Sequence, residues 1–208
     1  LYPTSLPTLN GSSSSSSNNS SSSSSGSNNL LPSKAYYQLW MKITEQLDRL
    51  ESWLCDLEDK ELIEKFTNNL YIEVQYQENI LQRLYLMTTV GAWLVRNKIE
   101  PFSKIYEDLI EMAIGVQSSQ RGLFLRAFIL QKIRYLIKNI SNYPNIKIID
   151  CIKIILINFG EMNKLWVRME YLGHSKSKNN RGVERTNIRM LLGKNLVYMS
   201  EIGMSTGG

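Results

Sequence analysis

The sequence predicts an all-α fold, and three observations carry that prediction. Apolar residues recur at alternating four- and three-residue intervals over long stretches, the spacing of amphipathic helices. The stretch ILQRLYLMTTVGAWLV, Ile80 to Val95, is apolar on nearly every face, as a buried helix is. No segment requires a strand; the isoleucine-rich start of the 146–172 stretch is the one ambiguous place, and its sustained period decides for helix.

Taken in order, residues 1–33 carry no charged side chain and contain two serine runs, Ser12–Ser17 and Ser20–Ser25. Such a tract buries too little apolar surface to offset its ordering entropy, so it is expected to be a disordered tail ahead of a folded 34–208. The chain starts at Leu1 and reads as a fragment. Ser33 is the expected N-cap of a helix over about 34–58, with Tyr36, Trp40, Ile43, Leu47, Leu50, Leu54 and Leu57 inward. A second helix is expected over about 61–77, with Leu62, Phe66, Leu70 and Val74 as its stripe. The all-apolar stretch makes a third, about 78–97, which Pro101 prevents from continuing. A fourth runs over about 103–116 with Ile105, Leu109, Met112 and Val116 inward. A fifth, about 120–140, buries Leu123, Phe124, Ala127, Phe128, Leu130, Ile133 and Ile137 and leaves Arg126, Lys132, Arg134 and Lys138 at the surface. A sixth, about 146–172, follows Pro144, with Ile148, Ile152, Ile155, Phe159, Met162, Trp166 and Met169 inward. A basic loop over 173–180 leads to a seventh, about 183–202. Seven helices joined by short connections suit an antiparallel bundle or an α-solenoid. The lack of a polar capping repeat at the end favours the solenoid.

Charge is divided along the chain. Residues 34–111 hold nine basic and fourteen acidic side chains, net −5, whereas 112–208 hold fifteen basic and five acidic, net +10. An acidic partner, an anionic membrane surface and a solvated face are all compatible with the basic half. Nucleic-acid binding would need exposed aromatics among Lys176, Lys178, Arg181 and Arg185, and only Tyr171 and Tyr198 flank that region. Cys55 and Cys151 each sit in an apolar helical pattern and are expected to be buried free thiols of a reducing compartment. His174 is the only histidine, so no nucleophile–base pair and no Cys/His metal cluster can be composed, and no cofactor is expected. No signal-peptide pattern opens the chain. The longest apolar run lies between Arg83 and Arg96, short of the about 20 residues a bilayer requires. Arg83 is the one charge within the all-apolar helix, and a buried guanidinium there needs a partner.

Five stretches carry a family resemblance: AYYQLWM (35–41), VQYQENILQRLYLM (74–87), GVQSSQRGLFLRAFILQ (115–131), NFGEMNKLWVRMEYLGHS (158–175) and LLGKNLVYMSEI (191–202). In that order they resemble the vacuolar protein sorting-associated protein 35 family, the large scaffold subunit of retromer. The resemblance implies an α-solenoid of HEAT-like helical hairpins, of which this is the N-terminal part, and no enzymatic activity. It implies a coat scaffold, cytoplasmic and peripheral on endosomal membranes, that returns cargo to the Golgi or plasma membrane. Implied partners are the arrestin-like small subunit of retromer, a late-endosomal Rab GTPase and sorting nexins, with no nucleic acid. The family's motif Pro-Arg-Leu-Tyr-Leu falls on Arg83, Leu84, Tyr85 and Leu86, which become the candidate partner-binding residues. In that role Arg83 donates charge-assisted hydrogen bonds while the other three position the helix.

Three departures stand out. Gln82 replaces the motif's proline, the Ser/Asn tract replaces helices that precede Ala35 in relatives, and the polar insert after the fifth helix shrinks to about 141–145. The C-terminal solenoid, where the metallophosphoesterase-like subunit docks in the family, is not within the sequence.

Overall fold

A computed structural model of the chain describes residues 33–56 and 69–172, with the helical residues 189–190, 193–194, 197 and 200–201 beyond them. The described residues all belong to one compact unit, Pro32–Gly208. The Ser/Asn tract, the start of the second helix and most of the seventh lie outside the described residues. The stretches described continuously, 33–56 and 69–172, hold six helices: α1 Ser33–Cys55, α2 with residues 69–75 described, α3 Ile80–Arg96, α4 Phe102–Met112, α5 Ser119–Lys138 and α6 Ile148–Leu172. Short 3-10 turns, Ala113–Gly115 and Ile140–Asn142, follow α4 and α5, and no strand occurs among the described residues. The isoleucine-rich start of α6 is helical, as its period demanded.

Side-chain contacts fix the directions of these helices. Tyr36 and Trp40 of α1 meet Phe124 of α5 at ring distances of 5.2 and 5.3 Å, and Tyr85 of α3 meets Phe128 at 5.3 Å. Further along all three helices, Arg96 of α3 pairs with Glu51 of α1 and lies 4.1 Å over the Tyr135 ring of α5. Contacts that advance together mean parallel helices, so α1, α3 and α5 form one parallel layer with α3 between its neighbours. The even helices run the other way. Tyr71 of α2 approaches Gly91 while the Gln75 carbonyl approaches Arg83, Gly91 packs against Ile105 of α4, and Gly122 and Arg126 of α5 face Leu165 and Asn158 of α6. Lys153 of α6 and Glu107 of α4 close the second layer at 3.1 Å. Hairpins stacked in two layers are the predicted α-solenoid architecture.

The central place of α3 explains its composition. Leu84, Tyr85 and every residue from Met87 to Val95 are buried. Thr88 and Thr89 are tolerated there because their hydroxyls donate to the Leu84 and Tyr85 carbonyls at 2.6 and 3.1 Å. Asn79 caps the helix, its Oδ1 accepting from the Leu81 and Gln82 N–H groups at 3.0 and 3.4 Å. The helix stops in a Schellman turn: the Lys98 N–H donates to the Val95 carbonyl and the Ile99 N–H to the Leu94 carbonyl. Lys98 takes the left-handed conformation, φ 61°, that glycine usually fills there.

Four expectations are corrected. Ile43 is exposed, because the buried line of α1 runs through Trp40, Thr44, Leu47, Glu51 and Leu54, where Glu51 finds cationic partners. Arg126 and Lys132 are buried and not at the surface of α5, since each has polar partners on neighbouring helices. Cys55 is exposed at the end of α1, while Cys151 is buried; both are free thiols. Arg83 is half-buried, because it lies in the first turn of α3 at the layer's edge.

Candidate partner-binding site

The four motif residues occupy the first two turns of α3 and part according to helical direction. Leu84 is fully buried, and Tyr85 packs its ring on Phe128. The Tyr85 hydroxyl is buried beside the Trp40 indole and the Tyr36 hydroxyl. Burial pushes the Tyr85 phenol far above its ordinary value, with the neighbouring Tyr36 adding to the effect. Leu86 is half-buried against the core. Leu84 and Tyr85 therefore act on any partner only through the placement of α3, whereas Arg83 and Leu86 retain surface.

Arg83 reaches back across the start of α3 to the exit of α2. Its Nη1 donates to the Gln75 and Gln77 carbonyls, each at 3.5 Å. These are among the carbonyls that a helix end leaves without intrahelical donors, and a cation is favourable there. Its Nε is buried without a partner. Asp108 and Glu111 of α4 line the same open cleft of about 410 Å³, floored by Met87 and Met112. No carboxylate among the described residues comes within ion-pair distance of Arg83. Among the described residues, backbone carbonyls and not a carboxylate answer its charge.

Two buried polar clusters escape a reading based on periodicity. In the first, Glu51 pairs with both Arg96 and Lys132, and Lys132 also donates to Asp48 at 2.6 Å. This cluster joins α1, α3 and α5 at the wall of an open cleft of about 730 Å³. In the second, the Arg126 guanidinium donates to Asn158 Oδ1 at 2.8 Å and to the Ile110 carbonyl at 3.4 Å, and Asn158 Nδ2 returns a bond to the Arg126 carbonyl at 3.0 Å. Burial lowers the Arg126 proton affinity, and Glu161 opposes that shift. One signal was available: Arg126 is the only charge between Gly122 and Leu130, as Arg83 is between Ile80 and Val95.

Among the described residues no three His, Cys, Asp or Glu side chains converge on a possible metal position. No described helix is long and apolar enough to cross a membrane. Stacked antiparallel hairpins whose buried charges tie helix to helix define a helical-repeat protein. The sequence profile described as vacuolar protein sorting-associated protein 35 matches residues 23–207, and the chain belongs to that family. It is 40% identical over 178 residues to vacuolar protein sorting-associated protein 35A of Arabidopsis thaliana, covering 83% of this chain and 22% of the plant protein. It is 38% identical over 175 residues to the Dictyostelium discoideum protein 35, again covering 83% of this chain and 22% of that protein. With the Schizosaccharomyces pombe protein 35 it shares 37% identity over 182 residues, 84% of this chain and 21% of the yeast protein. The chain thus spans about a fifth of the length of these relatives.

Proposed function

We propose that this chain is a section of the non-catalytic scaffold subunit of retromer, cytoplasmic and peripheral on endosomal membranes. It serves retrograde transport from endosomes to the Golgi and to the plasma membrane, and binds the arrestin-like small subunit at the α2–α3 edge around Arg83–Leu86. The family match over 23–207 carries this reading. The half-exposed Arg83, at the one edge where the motif retains surface, supports the location of the site. A late-endosomal Rab GTPase and sorting nexins are further partners on the same family grounds.

Co-purification of the chain with the arrestin-like small subunit tests the proposal. The wild-type chain retains the subunit, and Arg83→Ala releases it while far-UV circular dichroism and the melting temperature stay close to wild type. A wild-type chain that fails to retain the subunit refutes it. The alternative is a generic helical adaptor or a basic nucleic-acid-binding helical module, and the nucleic-acid form is weakened because Arg126 and Lys132 are buried in internal pairs. Lys176, Lys178, Arg181 and Arg185 lie outside the described residues. Binding of RNA or DNA that falls steeply with salt is the result that would restore that alternative.

A further inference from the structure

The carbonyls that Arg83 holds belong to Gln75 and Gln77, so the residue between them is fixed from both sides. That residue, Tyr76, is 78% exposed, and Ile72, one turn earlier on α2, is 48% exposed. An aromatic and a β-branched side chain at i and i+4 thus stand near one another at the end of α2, and no described element covers them. Tyr76 sits where α2 unwinds, its N–H donating to the Glu73 carbonyl at 3.2 Å. The Gln77 N–H donates to the Val74 carbonyl at 3.3 Å, and the Arg83 guanidinium bridges this turn to α3.

We propose that Ile72 and Tyr76 form the surface that touches the partner, and that Arg83 is a positioning residue that holds them and does not itself make the contact. The inference rests on the small-subunit reading above. It also fixes the chemistry of the occupant. Residues 66–82 contain no basic side chain, while Glu73 and Glu78 flank the pair and Asp108 and Glu111 stand on the adjoining cleft wall. Among the described residues the cation at this edge is Arg83, and it is directed at carbonyls. An apolar pair in an acidic surround fits a protein loop that presents an apolar side chain beside a lysine or arginine.

The test uses the full chain and the purified arrestin-like small subunit, with affinity and amide hydrogen exchange measured on the same variants. Tyr76→Ala and Ile72→Ala each weaken binding by about tenfold or more, without change in far-UV circular dichroism. Arg83→Ala weakens binding and speeds amide exchange over 76–79, and Arg83→Lys, which still donates to a carbonyl, restores part of both. Unchanged affinity in Tyr76→Ala and Ile72→Ala overturns the contact assignment. Weakened binding in Arg83→Ala with unchanged exchange over 76–79 overturns the positioning role and makes Arg83 the contact. Absence of binding by the wild-type chain refutes the small-subunit reading itself, a result distinct from either of these.

Discussion

Replacing Glu51 by alanine removes the one carboxylate shared by the buried Lys132 and the half-buried Arg96. The side chains of Glu51, Lys132 and Arg96 are 6%, 5% and 14% exposed, so the charges left behind cannot recover full hydration without opening the packing. Breaking a buried pair by deleting one partner costs about 3–5 kcal/mol. Two contacts place the expected value at the lower end. Lys132 keeps Asp48 at 2.6 Å, and Arg96 keeps the Tyr135 ring at 4.1 Å. A loss of about 3 kcal/mol corresponds to a melting-point drop of about 6–12 °C for a domain of this size. Urea denaturation with an unchanged slope measures it. Glu45→Ala is the internal control, because its pair with Arg49 is exposed and is worth no more than about 0.5 kcal/mol. Lys132→Met gives a second comparison: Glu51 retains Arg96, the apolar stem still fills its place, and the loss is smaller than in Glu51→Ala. If Glu51→Ala costs less than about 1 kcal/mol, the cluster is not holding the three helices together and the reasoning fails.

Further outcomes follow from packing, backbone and thiols. A Cβ at Gly91 would lie 2.6 Å from the Ile105 Cγ2, so Gly91→Ala forces α3 and α4 apart at a cost of about 1–3 kcal/mol, measured by urea melts. Gly160 on α6 has nothing within 4 Å of its Cβ position, and Gly160→Ala stabilises by about 0.5–1 kcal/mol in the same assay. Lys98→Gly relieves the left-handed backbone at φ 61° and raises stability by about 1 kcal/mol. Iodoacetamide modifies Cys55 in the folded chain and reaches Cys151 only after denaturation. Burial raises the Cys151 thiol from 9.0 to about 12 and, first among its causes, the Tyr71 phenol from 10.0 to about 12. Both groups keep their protons in the folded state where the unfolded chain has released them. Stability therefore falls as pH rises through the window from 9 to 12, and urea midpoints measured across it show the decline.

The elements were legible because each buries a wide apolar face, and periodicity reports the centre of such a face well. It reports less well which polar residues complete it. The stripe read for α1 included Ile43, while the structure turns the helix so that Thr44 and Glu51 go inward. Thr44 is acceptable there because its hydroxyl donates to the Met41 carbonyl at 3.0 Å within its own helix. Glu51 is acceptable only because of Lys132, eighty-one positions away, and Arg96, and no local pattern encodes such a meeting. Arg126 and Asn158, thirty-two positions apart, satisfy one another in the same way. A charge in an all-apolar helical run marks a place where tertiary pairing is required. It does not say whether the partner is a side chain, a backbone carbonyl or another molecule.

Arg126 and Arg83 obey that rule with different outcomes. Arg126 stands mid-helix between α4 and α6, where an asparagine and a carbonyl are within reach, and it is buried. Arg83 stands in the first turn of α3 and faces the unwinding end of α2, so carbonyls are what it meets. The same turn holds Gln82, which stands where the motif has proline. Helix α3 begins at Ile80, so residue 82 lies in its first turn, where the N–H has no intrahelical acceptor. Its one bond is the 3.4 Å contact to Asn79 Oδ1, the longer of the two that the cap makes. Glutamine supplies that N–H, which proline lacks, and leaves Leu81 free to be helical. What Arg83 meets follows from where α3 starts, beside the unwinding end of α2.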